Sequence, residues 1–145
     1  MHCRIGICLV LGLVIVFVTT AVVYAEVNMK EGKWEISGEM KLEGMPFPMP
    51  PVPVKFEQCL TKKDMVPMKR EKNQDCKTPD VKTDGSTVTW STECKDKNGV
   101  TESTGTATYK GDVFTSTMHT KTTNAKGSKT ESTMKMSGKR IGDCN

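Results

Sequence analysis

Lys33-Trp34-Glu35-Ile36-Ser37-Gly38-Glu39-Met40-Lys41-Leu42 alternates without a break. Trp34, Ile36, Gly38, Met40 and Leu42 fall on one side of an extended chain, and Lys33, Glu35, Ser37, Glu39 and Lys41 on the other. Successive side chains of a strand point to opposite faces, so this period of two predicts a β-strand buried on one face only. The same pattern returns downstream. Residues 54–60 read as a strand with Val54 and Phe56 inward and Cys59 on the opposite face. Residues 77–83 read as a weak strand, and 86–95 follow with Val88, Trp90, Thr92 and Cys94 on one side. Further strands are expected over 100–110, over 113–121 with Phe114 and Met118 facing one way, and over 128–141 with Met134 and Met136 opposite the lysines.

Tight-turn signals separate these runs: Asp84-Gly85, Asn98-Gly99, Gly111-Asp112 and the stretch 124–127. Two segments break the alternation. Residues 45–53 hold five of the seven prolines, which cannot donate to a regular ladder, so an extended polyproline-like connection is expected there. Thr61-Lys62-Lys63-Asp64 has the form of a capping box and predicts one short helix, stopped by Pro67. Residues 69–72 read as a polar, mostly basic loop. The whole predicts an all-β fold: an antiparallel meander of six to seven strands curled into a small barrel or half-barrel. Curling covers the single apolar face and reduces the exposed edges. An outer-membrane barrel is excluded, because 100–110 and 113–121 have no residues to face lipid.

The N-terminus reads differently. Arg4 precedes an uncharged apolar run over 5–18, and Val23-Tyr24-Ala25 offers a cleavage site before Glu26. Residues 1–25 are therefore expected to be a removed signal peptide and 26–145 a single β-rich domain, periplasmic or secreted. An uncleaved anchor over 5–23 is the competing reading. Cys8 stands in the wrong context for a lipidated cysteine. No membrane span is expected in the mature chain.

The mature part has 12 Ile, Leu and Val and three Phe against 17 Thr and nine Met. That is thin core material, and its net charge of +3 is too small to suggest nucleic-acid binding or disorder. Disulfides would compensate. Cys59, Cys76, Cys94 and Cys144 remain after cleavage, and in an oxidising compartment they predict two bridges. Three pairings are open; Cys59–Cys76 with Cys94–Cys144 is favoured because the first closes a local loop and the second pins the C-terminus. Zinc is disfavoured, since no CxxC pair exists and His119 is the only mature histidine.

Several pieces, in order, resemble a bacterial exported family catalogued as domain of unknown function 3617. They are Gly32-Lys33-Trp34-Glu35, the Gly/Met/Pro stretch over 44–51, Cys59-Leu60-Thr61, Thr87-Val88-Thr89-Trp90 before Cys94, and the ending from Met134 through Lys139-Arg140-Ile141-Gly142-Asp143-Cys144. Glu31 stands where the family often carries proline. The resemblance implies an exported, mostly periplasmic protein with a small β-rich domain, and it carries no activity with it.

Catalytic motifs are missing from the sequence: no Gly-x-Ser-x-Gly, no His-Glu-x-x-His and no phosphate-binding glycine loop. His119 falls on a polar strand face and reads as a solvated or neighbour-bonded side chain. Glu35 and Glu39 point outward. No enzyme and no cofactor are expected. Met45, Met49, Met65, Met68, Met118, Met134 and Met136 could suit a soft metal such as Cu(I), but methionine is also an adaptable filler of irregular cores, which is the reading preferred here. Lys62-Lys63 and the run Lys69, Arg70 and Lys72 read as solvated loop charges rather than an anion site.

Two functions are carried forward. The first is a non-catalytic exported binding module, in which Trp34, Trp90, Phe114, Met118, Met134 and Met136 line an inner face holding a hydrophobic small molecule or lipid. The second is a structural or interaction protein of a cell-envelope assembly. It would present Met45, Phe47, Met49 and Val52 on the stiff segment 44–54, or a strand edge, to a partner.

Overall fold

The structure is a computed structural model that describes residues 26–47, 49–68 and 73–144. The expected signal over 1–25 and the basic loop over 69–72 lie outside the described residues. Eight strands form one antiparallel sheet: β1 (Gly32–Glu43), β2 (Val52–Leu60), β3 (Asp75–Cys76), β4 (Asp80–Asp84), β5 (Thr87–Asp96), β6 (Gly99–Lys110), β7 (Val113–Asn124) and β8 (Lys129–Gly142). Their order across the sheet is β2-β1-β8-β7-β6-β5-β3, with β4 also paired to β5. Each of the four turn signals joins two neighbouring strands, and the alternation of Trp34, Ile36, Val88, Trp90, Phe114 and Met118 puts them all on one face.

Four details differ from the sequence reading. The expected strand over 77–83 forms only from Asp80, as β4, and a separate two-residue strand, β3, precedes it, because Cys76 and then Asp80 take up separate places along β5. Val52 belongs to β2 rather than to the proline connector, since an edge strand tolerates Pro53. The meander is continuous only from β4 to β8; β2 and β3, consecutive in sequence, stand at opposite edges of the sheet. Finally, no helix forms at 61–64. The capping bond itself is made, Asp64 N–H donating to Thr61 Oγ1 at 3.2 Å, but it closes a turn in which Thr61 and Asp64 bond each other's backbone. Burial of Val66, Pro67 and Met68 then draws the chain out extended, and Pro67 removes a donor that a helix would use.

That crossing segment shapes the fold. Gln58 of β2 donates from Nε2 to the Val66 carbonyl at 3.2 Å, and Tyr109 Oη of β6 donates to the Met65 carbonyl at 2.5 Å. The segment therefore bridges two strands that stand four places apart in the sheet, closing one end of a trough. Val27 and Met29 close it from the N-terminal side, held by the Gly111 N–H donating to the Asn28 carbonyl and the Lys30 N–H donating to the Gly111 carbonyl. Burial pushes the Tyr109 phenol well above its ordinary pKa, and the nearby Asp64 charge adds to that.

The curl can be read from aromatic contacts. Trp34 on β1 and Tyr109 on β6 are separated by β8 and β7, and a flat sheet would hold them roughly 14 Å apart. Their ring centroids lie 6.0 Å apart, edge to face. The sheet is thus a half-barrel, open between β2 and the β3/β4 edge. Glycine lets it bend. Gly138 on β8 is opposite both Ile36 and Phe114, and the Phe114 ring occupies the place a Cβ there would take. Gly105 is covered in the same way by the Trp90 indole.

The two disulfides are Cys59–Cys144 and Cys76–Cys94. This corrects the favoured pairing. Cys76 is directly opposite Cys94 in the β3·β5 register, at the far side of the sheet from Cys59. Cys144 follows β8, which runs past the start of β1 and brings the C-terminus to the end of β2.

Candidate functional site

The six side chains proposed to line a ligand site do come together, as core. Trp34, Phe114, Trp90, Met136 and Met118 are buried in one apolar cluster, and Met134 packs against it half-buried. Trp34 and Phe114 centroids are 5.5 Å apart, and Phe114 and Tyr109 5.2 Å, distances at which rings are in van der Waals contact. The space beside these rings is filled by Ile36, Val88, Ala107 and Leu60. Both indole nitrogens are left over: Trp34 Nε1 and Trp90 Nε1 are buried without an acceptor among the described residues.

The proline-methionine segment behaves in the opposite way. Met45, Phe47, Met49 and Val52 are 40%, 58%, 38% and 40% exposed. The strap that closes the core is residues 65–68, so the loop between β1 and β2 is free of that task. It folds back only far enough to enclose a shallow cleft of about 310 Å³, whose lining includes Leu42, Met45, Phe47 and Met49. Four prolines in the eight residues 44–51 limit the conformations this loop can adopt.

A larger cleft, of about 600 Å³, lies across β5 to β8 and the end of β1. It runs between two rows of side chains that point away from Trp34 and Trp90. One row holds Ser91, Thr104, His119 and Thr133; the other holds Glu93, Glu102, Lys121 and Glu131. His119 is exposed and neighbour-bonded. Thr133 Oγ1 donates to Glu43 Oε1 at 2.6 Å, and His119 Nδ1 lies 3.0 Å from the same hydroxyl, which is left to accept. The Glu93 carboxyl is held below its ordinary pKa by hydrogen bonds from Lys77 and then Lys95, at 3.1 and 3.3 Å. The sequence showed these residues as polar faces of separate strands; only the cross-strand register brings them together. Among the described residues no three His, Cys, Asp or Glu side chains are grouped as a metal ion requires, and no helix is long and apolar enough to cross a membrane.

The family model described as "Protein of unknown function (DUF3617)" matches residues 29–144, the whole sheet with both disulfides. The chain belongs to this family. No curated protein and no solved structure matches it. The matched residues of the DUF3617 domain contain the buried rings, the exposed proline loop between β1 and β2, and the polar cleft on the opposite face.

Proposed function

We propose that this DUF3617 protein is an exported, non-catalytic interaction module of the cell envelope, and that the loop between β1 and β2 is its contact surface. One observation carries the reading: four large apolar side chains, Met45, Phe47, Met49 and Val52, stand exposed together in a domain that has little apolar material to spare. Exposed apolar side chains gathered on a loop and the strand end beside it are a usual mark of a contact site. A proline-stiffened loop also loses little conformational entropy when a partner takes hold of it. Two disulfides support export, since such bonds persist in oxidising compartments.

The test is the variant Phe47→Ser with Met49→Ser. Both side chains are outside the core, so its urea midpoint should match the parent while binding to the envelope partner is lost. A large fall in the midpoint would make the loop part of the core and remove the surface.

The carrier reading keeps one observation in its favour. The buried indole nitrogens of Trp34 and Trp90 have no acceptor among the described residues, and a ligand oxygen would supply one. The dense ring packing argues against it. Native mass spectrometry separates the two, because a carrier shows an extra small-molecule mass that disappears on denaturation and an interaction module shows only the masses of whole chains.

A further inference from the structure

The two edges of the open sheet are unlike. One is built from β3 and β4, of two and five residues. The other is β2, nine residues long and in unbroken register with β1. Among the described residues nothing pairs with the second side of β2. An unpaired edge is a template for another strand, and proteins normally blunt it by shortness or charge.

The charge order decides what each edge can accept. β4 reads Asp80-Val81-Lys82-Thr83-Asp84. Paired antiparallel with itself over its length, it sets Asp80 against Asp84 and Lys82 against Lys82, like charges at every charged position. β2 carries Val54-Lys55-Phe56-Glu57-Gln58. Paired with itself about Phe56, it sets Lys55 against Glu57 twice. In the register that uses the whole of each strand, the β2 edge matches its own copy and the β4 edge does not.

We propose that β2 pairs antiparallel with β2 of a second copy of this chain, about a two-fold axis at Phe56. Such an interface is isologous and closes as a dimer, so the sheet cannot go on adding copies. Within each copy Lys55 Nζ is 3.0 Å from Glu35 Oε2, and Lys33 Nζ is 2.6 Å from Glu57 Oε2. The junction extends these into a line of alternating sign: Lys33, Glu57, the partner's Lys55, the partner's Glu35. On the other face Phe56, half-buried against the core, meets the partner's Phe56 and loses its remaining exposure to water. Pro53 lies outside the five residues this register needs. The pairing leaves Met45, Phe47 and Met49 of both copies free, and it is independent of the function proposed for that loop.

Sedimentation equilibrium of the full chain with its disulfides formed provides the test. The parent should show a concentration-dependent dimer. Lys55→Glu and Glu57→Lys, each alone, place like charges together twice and should weaken the dimer about tenfold or more, since each cross-strand charge pair counts in both copies. An equimolar mixture of the two variants should recover the parental affinity, because a mixed dimer restores both opposite-sign pairs. Circular dichroism checks that each variant is folded; should either not be, the salt dependence of the parent decides, and the dimer must weaken as salt is raised. A parent that stays monomeric, a dimer indifferent to the reversals or to salt, or folded variants that fail to complement each other overturns the proposal.

Discussion

Phe114 lies with its ring over Gly138, the residue directly opposite it on β8. The missing side chain allows a ring from β7 to reach Trp34 on β1 across the strand between them, at 5.5 Å. The curvature of the sheet and its aromatic core meet at this contact. Gly138→Ala should therefore cost about 1–3 kcal/mol, as overpacking a filled core does. Equilibrium urea unfolding measures it. A loss within a few tenths of a kcal/mol would mean that the ring has room to move aside.

Tyr109 links the core to the strap over 65–68. Its phenol is buried and its pKa is raised, so the folded state holds the proton more tightly than the unfolded chain does. The stability this gives is complete below the unfolded value, about 10, and declines as pH rises beyond it. Stability measured against pH should fall on the alkaline side in the parent. In Tyr109→Phe that fall should be much reduced, with about 1 kcal/mol lost at neutral pH along with the bond to Met65.

Glu93 gives the acid counterpart. Its carboxyl is held below the ordinary value by Lys77 and Lys95, so its contribution is present above the unfolded pKa and disappears as pH falls through the folded one. Because Glu93 is at the β3/β5 edge, the protection of the amides near Cys76 and Lys77, taken relative to the intrinsic exchange rate at each pH, should fall on acidification. Glu93→Gln should remove that pH dependence.

Peptide mapping without reduction should recover Cys59 joined to Cys144 and Cys76 joined to Cys94. The bridges span 85 and 18 residues, and chain entropy ranks them at about 4.5 and about 3 kcal/mol. Cys59→Ser with Cys144→Ser should consequently destabilise the domain more than Cys76→Ser with Cys94→Ser.

What the sequence could disclose was local. The alternation from Lys33 to Leu42 needs only its own neighbours to be read, and the turns at Asp84-Gly85 and Asn98-Gly99 are set by the residues in them. The pairing of Cys59 with Cys144 depends instead on β8 returning beside β1, a relationship between distant parts of the chain. The capping signal at Thr61 was real, and its side-chain bond forms. It opens no helix because burying Val66, Pro67 and Met68 across the trough stabilises the extended chain more than one helical turn would. The row Ser91, Thr104, His119 and Thr133 escaped notice for the same reason as the disulfides. Each residue is ordinary on its own strand, and only the register makes a cleft of them. The loop residues Met45, Phe47 and Met49 and the neighbouring Val52 of β2 were identifiable by composition, whereas their exposure depended on which segment closed the core.

The most direct measurement is photocrosslinking in living cells from an aromatic photoreactive residue placed at Phe47, with Val81 on the opposite edge as the control. Both positions are exposed and apolar, at 58% and 39%, so exposure alone does not distinguish them. If the loop is the contact surface, position 47 gives a discrete adduct with an envelope protein, position 81 does not, and Met49→Ser in the same chain weakens the adduct. The same adducts from both positions, or none from position 47, would contradict the account.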